Sequence, residues 1–198
     1  ASAKPKSLTL QPGVDGWNSL VETHISSWYP DQNYGTNAQS WLAHPDRMYS
    51  LHRWNLASAL PPNSTFVTAT LEIYQTTNSL KAPQPVTIDA YRMLRRWDET
   101  GATWNKATSS TYWQVRGATG AADREQTASG TARFEAVSGW VTMDITPLVK
   151  QWLADKNVAA DVVDDLVIPP GGRALVPTGL AFAVPAGGRI DGLETFAN

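Results

Sequence analysis

The chain has 198 residues, of which 42% are hydrophobic and 17% are charged, and its formal net charge is −2. This length suffices to bury a sizeable core, and all-β folds of this size are often single domains. No basic stripe is present, which argues against nucleic acid as a partner, and no run of about 18 apolar residues predicts a membrane span. The absence of cysteine fits either a reducing compartment or a secreted protein that dispenses with disulfides.

The N-terminal part of the chain is predicted to carry an aromatic, polar loop. Residues 1–7 are predicted to be a tail, compatible with the end left after cleavage of a signal segment and hence with secretion. Residues 24–35 then combine aromatic rings with short polar side chains, and Pro30 and Gly35 interrupt the segment. Aromatic faces stack on the C–H surface of a sugar ring, while carboxylates and amides bind its hydroxyls. The candidate ligand-binding residues are Trp28, Tyr29, Asp31, Asn33 and Tyr34. The alternative is a loop that covers the edge of a sandwich with its rings half-buried.

Alternating side chains predict strands on both sides of a Pro-rich break at residues 61–64. In the second strand, Leu71 and Ile73 lie on an apolar face that we expect to point inward. Arg53 interrupts an apolar strand, and we expect its stem to pack and its guanidinium to pair with a carboxylate.

The central stretch, residues 86–104, predicts a strand that leaves through the acidic turn 98–101, with Trp97 and Trp104 on either side of the turn. The two rings either plug the end of the fold or form a platform for a flat ligand. Because Trp is buried on average, we expect the plug. Residues 108–130 follow as a long loop, of the kind that is often functional or mobile.

One short helix is predicted at residues 146–154, with Thr146 as its cap and Pro147 in its first turn. Asp144 precedes this cap and is a candidate ligand, together with Asp15, of a structural calcium ion that joins the two ends of the chain. The alternative is that Asp144 accepts hydrogen bonds from local backbone N–H groups. No organic cofactor is predicted.

Several segments in a fixed order resemble a known family. They are residues 33–35 (Asn-Tyr-Gly), 41–43 (Trp-Leu-Ala), 50–56 (Ser-Leu-His-Arg-Trp-Asn-Leu), 69–74 (Ala-Thr-Leu-Glu-Ile-Tyr) and 140–146 (Trp-Val-Thr-Met-Asp-Ile-Thr), followed by Val149 and Trp152. This order, over about residues 8–157, resembles the secreted β-sandwich modules called DNRLRE domains, which are similar to a carbohydrate-binding-module family. The resemblance implies a secreted sandwich module that binds a polysaccharide or a cell-surface glycan.

The resemblance does not extend past residue 157. Residues 165–185 are instead similar to a strand–turn–strand segment of the trimeric dUTPases, although the catalytic motifs of that family are not assembled here. We therefore predict a β-hairpin that completes the sandwich and no nucleotide site. Residues 186–198 are predicted to form a C-terminal tail.

Together these patterns predict an all-β, jelly-roll-like sandwich of two antiparallel sheets, formed by residues 8–185, with one short helix. The favoured function is a non-catalytic, extracellular carbohydrate-binding module within a larger polysaccharide-active or adhesive protein. Two alternatives remain open. One is a stalk or filament subunit that self-associates through its aromatic loops, and the other is a polysaccharide hydrolase or lyase. No catalytic residues are assigned, because sequence spacing cannot establish the separation of two carboxylates.

Overall fold

A computed structural model of the protein describes residues 8–13, 16, 18, 20–37, 39–42, 47–54, 68–77, 86–135, 138–158, 179–183 and 190–194. Short antiparallel strands with alternating burial dominate these residues. The strands are β1 (Leu20–Ser26), β2 (Ser40–Leu42), β3 (Met48–Trp54), β4 (Thr70–Thr77), β5 (Val86–Met93), β6 (Gly130–Phe134), β7 (Gly139–Asp144), β8 (Gly179–Ala183) and β9 (Ile190–Glu194), and the helix is α1 (Thr146–Val158). No helix in this part of the chain is long and apolar enough to cross a membrane.

The strands form two antiparallel sheets. The five-stranded sheet has the order β1-β3-β8-β5-β6, and the four-stranded sheet has the order β2-β9-β4-β7. Consecutive described strands lie in different sheets at every step along the chain except from β5 to β6. The predicted all-β fold of antiparallel sheets with one short helix is therefore confirmed, with a helix that continues four residues beyond the predicted end at residue 154.

One apolar core is shared by the two sheets. In β4, Leu71 and Ile73 are buried while Glu72 is exposed, as the alternating pattern predicts for a strand with one face in the core. The core also takes side chains from β2, β5, β6, β7 and the helix. Its buried members are Leu42, Leu71, Ile73, Ile88, Ala90, Ala132, Val141, Met143, Ile145, Leu148, Val149 and Trp152.

A second core covers the other face of the five-stranded sheet. Residues 94–129, here called the loop layer, fold over this face and bury their own apolar side chains against it. The guanidinium of Arg124 lies 4.1 Å from the ring centroid of Tyr91 and 5.5 Å from that of Tyr49, so a cation contacts two rings beneath the layer. The buried members of the second core are Ile25, Tyr49, Leu51, Met93, Trp97, Ala102, Ala107, Trp113 and Ala118.

The loop layer is organised around the buried carboxylate of Asp123. Oδ1 accepts a hydrogen bond from Arg95 Nε at 2.5 Å and another from the backbone N–H of Gln114 at 2.9 Å. Oδ2 accepts from the N–H of Val115 at 3.0 Å. The Asp123 carbonyl in turn accepts from the N–H groups of Leu94 and Arg95. A single residue thus ties the start of the layer to its middle, and its buried charge is both paired and hydrogen-bonded.

Two local expectations differ from the structure. Arg53 donates from Nη1 to the Trp97 carbonyl at 2.8 Å and lies 5.1 Å from the Trp97 ring centroid, so its partner is a carbonyl and a ring instead of a carboxylate. The Thr146 hydroxyl does not cap the helix, because it bonds the backbone of Ala69 at the start of β4. The Asp144 carboxylate takes the capping position and accepts from the Thr146 N–H at 2.8 Å.

The C-terminal strands complete both sheets. Within the predicted hairpin at residues 165–185, the structure describes only β8, which pairs with β3 on one side and β5 on the other. Residues 186–198 were predicted to be a tail, but β9 lies within them and pairs with β2 and β4. The sequence around β9 gives little sign of a strand, since Gly192 interrupts the short run 190–194.

Trp97 and Trp104 differ in burial and in the contacts that they make in the second core. Trp97 is fully buried and receives Arg53 on its face, whereas Trp104 is partly buried, stacks on Tyr49 at 5.4 Å and contacts Gly117. Gly117 has a φ of 80°, and a Cβ there would lie 2.7 Å from the Trp104 ring, so both its backbone and its packing require glycine. The predicted burial is confirmed for Trp97, which lies beneath the loop layer and not at the end of the sheets.

Replacing Trp97 with alanine is expected to lower the free energy of unfolding by about 3–5 kcal/mol, because it empties the centre of the second core. Urea denaturation followed by circular dichroism measures this change. Trp140→Ala is the matched control, since the Trp140 side chain is more than half exposed, and its unfolding midpoint should stay close to that of the wild type. Equal midpoints for the two variants would contradict a core role for Trp97.

Candidate functional site

The aromatic loop, predicted at residues 24–35, occupies residues 27–37, because β1 continues to Ser26. It docks on the loop layer through one asparagine. The Asn33 side-chain amide donates to the carbonyls of Glu99 and Ala102, at 2.7 Å in both cases, and its oxygen accepts from the N–H of Gly35 at 3.1 Å. Asn33 therefore joins two segments separated by 66 residues. Gly35 lies against the same turn, where a Cβ would come within 2.3 Å of the Glu99 carbonyl oxygen, so only glycine permits this approach.

A second set of contacts fixes the loop beside Asn105. The Asn105 N–H donates to the carbonyl of Pro30, and its side-chain amide donates to the Asp31 carboxylate at 2.8 Å. The Asn105 carbonyl accepts from the N–H of Trp113. Asn105 thus lies between residue 30 of the aromatic loop and residue 113 of the loop layer, and the residues next to both positions carry exposed rings.

An open cleft of about 320 Å³ lies where the two loops meet. The lining residues carry hydroxyls, a carboxylate, a side-chain amide and an ammonium group as donors and acceptors, and their carbon atoms supply the rest of the wall. Such a wall suits a ligand with many hydroxyls. The lining residues are Asp31, Asn33, Thr100, Gly101, Thr103, Lys106 and Ser109.

Exposed aromatic side chains lie on both of the loops that form this cleft. Trp28, Tyr29 and Tyr112 are 50%, 61% and 64% exposed. The Lys106 ammonium, which lines the cleft, lies 5.3 Å from the centroid of the Tyr112 ring. Because exposed rings are costly to leave in water, three of them on the two loops that meet at one cleft indicate a binding surface.

The chain was compared with families of known proteins. Carbohydrate-binding module family 96 matches residues 17–165. The chain belongs to this family. The matched segment contains the aromatic loop, the loop layer and the cleft between them, as well as seven of the nine strands, β1 to β7.

Within this module, the predicted ligand-binding residues have different environments. Trp28, Tyr29 and Asp31 are exposed, and Asp31 lines the cleft. Asn33 also lines it, but its donors are engaged by the loop layer. Tyr34 points away from this group: its ring stacks on His24 at 4.1 Å. Burial, and to a lesser extent Tyr29, raises the pKa of the Tyr34 phenol above its ordinary value.

Sequence reasoning did not single out the half of the cleft that the loop layer provides. These residues are Thr100, Thr103, Lys106, Ser109 and Tyr112. A large ring within a Ser/Thr-rich stretch was the available signal, since Tyr112 has little apolar sequence around it to bury it. Its position beside the aromatic loop depends on contacts such as that between Asn105 and Asp31, which are 74 residues apart.

The predicted calcium ligands are not brought together in the described part of the chain. Asp144 accepts the N–H of Thr146 at the start of the helix. Hydrogen bonding by the Thr146 side chain, and then by its N–H, lowers the pKa of Asp144 below the ordinary value. Asp15 lies outside the described residues. The described residues contain no group of three or more side chains suited to a metal ion. A calcium site formed by Asp15 and Asp144 stays a prediction.

A buried polar row lies behind the aromatic loop, on the side of β1 and β3 that faces the other sheet. His24, Ser26, Ser50 and His52 are all buried there, and the Ser50 hydroxyl lies 2.6 Å from His52 Nε2. His52 Nδ1 lies 3.3 Å from a carboxylate oxygen of Glu22. His24 is 2% exposed, and its Nδ1 has no hydrogen-bond partner, so burial lowers its pKa from 6.5 to about 4.

Removing the Asn33 side chain should loosen the aromatic loop. Asn33→Ala leaves the carbonyls of Glu99 and Ala102 without their donor, and we expect a loss of about 1–3 kcal/mol in the free energy of unfolding. Hydrogen exchange should also accelerate across residues 28–35. Gln32→Ala is the matched control, because the Gln32 side chain in the same loop is exposed. Unchanged exchange in Asn33→Ala would show that the amide does not hold the loop.

The low pKa of His24 predicts a pH-dependent stability. The unfolded chain takes up a proton on this histidine near pH 6.5, whereas the folded module does so only near pH 4. The unfolded state therefore binds more protons between these values, and stability falls as pH is lowered through this window, by about 3 kcal/mol in all. Urea denaturation between pH 7.5 and 4 measures the loss. His24→Gln should remove this component, and an identical pH dependence in wild type and variant would contradict the assignment.

Proposed function

We propose that the cleft between the aromatic loop and the loop layer binds a polysaccharide and does not cleave it. The observation that carries the proposal is that two loops bearing three exposed rings meet at an open cleft lined by polar residues, one of which, Lys106, contacts the Tyr112 ring. Membership in a carbohydrate-binding module family supports the ligand class. The proposed contact residues are Trp28, Tyr29, Asp31, Lys106 and Tyr112, together with the hydroxyls of Thr100, Thr103 and Ser109.

The chemistry of the cleft matches the two sides of a sugar ring. The C–H face of a pyranose is weakly polar and packs on the electron-rich face of Tyr or Trp. The ring hydroxyls need donors and acceptors, which Asp31, Lys106 and the threonine hydroxyls supply. Because the cleft is open along the surface, the proposed ligand is a segment of a chain rather than a single enclosed sugar.

The setting we propose is extracellular. A module that binds a polysaccharide or a cell-surface glycan would act as part of a larger secreted protein that is polysaccharide-active or adhesive. The chain has no cysteine to be oxidised outside the cell, which is compatible with this setting.

Polysaccharide binding is tested by affinity electrophoresis and pull-down on a panel of neutral and uronate-containing polysaccharides. Tyr112→Ala, and the double variant Trp28→Ala with Tyr29→Ala, should each weaken binding about tenfold or more, as expected for loss of a stacked ring. Leu94→Ala is the control, because Leu94 is also an exposed large apolar side chain but has no aromatic ring to stack on a sugar.

Three results would overturn this function. Release of reducing or unsaturated ends from any polymer would favour the hydrolase or lyase. Concentration-dependent assembly that the loop variants abolish, without glycan retention, would favour the stalk or filament subunit. Full retention by all the cleft variants would show that the wild type binds glycans elsewhere.

A further inference from the structure

A second set of exposed side chains lies on the outer face of the four-stranded sheet. β4 and β7 pair in register so that Tyr74 is opposite Trp140, Glu72 opposite Thr142, and Thr70 opposite Asp144. The intervening side chains Leu71, Ile73, Val141 and Met143 are buried in the core shared by the two sheets. The six paired residues therefore point outward and form two neighbouring columns, here called the ladder.

The ladder has aromatic rings at one end and polar groups along the rest. Trp140 is 56% exposed, and its ring meets the partly exposed Tyr74 ring edge to face at 5.2 Å between centroids. Glu72, Thr142, Thr70 and Asp144 are exposed beyond the rings. Successive rows are two residues apart, so the three rows span four residue steps, or roughly 14 Å at about 3.4 Å per residue. Neighbouring strands are roughly 5 Å apart. This is a flat strip with the dimensions of a short oligosaccharide lying along the strands.

The charge of the ladder limits the ligand. Its described side chains include two carboxylates and no basic group. The positive charge of Lys150 on α1 interacts with the Asp144 carboxylate at one end of the ladder. The Glu72 carboxylate is the charge in the middle row. A polyanion along the strip would place its own charges beside Glu72, whereas an uncharged sugar can donate its hydroxyls to the carboxylates.

The ladder and the cleft lie on opposite sides of the protein. The loop layer covers the face of the five-stranded sheet that points away from the four-stranded sheet, and the ladder is the outer face of the four-stranded sheet. One glycan chain bound in the cleft cannot reach the ladder without passing around the sandwich.

We propose that the ladder, with Trp140 and Tyr74 as its stacking rings, is a second glycan-binding site that takes a neutral polysaccharide. This inference rests on the carbohydrate-binding function proposed above, but not on the position of the cleft. Two sites on opposite faces let one module hold two separate glycan chains, so the module bridges polysaccharide chains in addition to binding them.

The test compares Trp140→Ala with Tyr112→Ala and with the variant that combines both changes. Affinity electrophoresis through xylan, glucomannan and a mixed-linkage β-glucan measures neutral ligands, and polygalacturonate represents an acidic one. Thr142→Arg is an independent ladder variant, because it fills the strip and keeps both rings. Melting temperatures close to that of the wild type are required of each variant, and Leu94→Ala serves as the exposed control.

The expected result is that Trp140→Ala and Thr142→Arg each weaken binding of at least one neutral polymer about tenfold. Tyr112→Ala should bind that same polymer as the wild type does. The wild type should also raise the turbidity of a mixture of the polymers that the two sites bind. Either single-ring variant should lose this bridging, because each retains only one site.

Four outcomes would overturn the inference, and they are distinguishable. If Tyr112→Ala abolishes all binding and Trp140→Ala none, the cleft binds and the ladder does not. If the ladder variants lose only polygalacturonate, the charge argument is wrong. If the wild type self-associates in sedimentation velocity and Trp140→Ala is monomeric, the occupant is a second copy of the chain. If the wild type retains no polymer, the proposed function fails and this inference fails with it.

Discussion

The buried carboxylate of Asp123 is the interaction on which the functional half of the molecule depends. The loop layer contains few large apolar residues for its length, so hydrophobic burial alone gives a weak account of its order. Asp123 accepts from Arg95 and from two successive N–H groups, and its own carbonyl holds the start of the layer. Because a buried charge is stable only with all these partners present, the geometry of the layer is tightly specified. The cleft residues at 100–109 lie in the chain between the two segments that Asp123 holds, residues 94–95 and 114–115.

Local patterns in the sequence predict the sheets well and the contacts between loops poorly. Leu71 and Ile73 alternate with exposed neighbours, and the helix begins where Pro147 follows a capping sequence, so both elements follow from short-range rules. Trp97 is buried, as its residue type suggests. Arg53 differs from expectation because its partners are the carbonyl and ring of Trp97, 44 residues away in the sequence. No spacing rule connects two such positions.

In the candidate site, too, the sequence predicts residue types but not the contacts between loops. The sequence identified Trp28, Tyr29 and Asp31 as residues of the right chemical type; all three are exposed, and Asp31 lines the cleft. Asn33 also has a suitable residue type, but its side-chain N–H groups join the two loops. The Tyr34 ring stacks on His24 in the buried polar row. Lys106 and Tyr112 were missed because their relation to the aromatic loop exists only after the loops dock. Residue type predicts what a loop can bind, whereas tertiary contacts decide which of its side chains are available to bind it.

The two separate apolar cores have an evolutionary consequence. The core between the sheets and the core beneath the loop layer occupy opposite faces of the five-stranded sheet, so a substitution in one need not disturb the packing of the other. Changes among residues 94–129 can therefore reshape the cleft while the sheets retain their register. The layer can therefore vary in sequence by small steps while the two sheets stay constant.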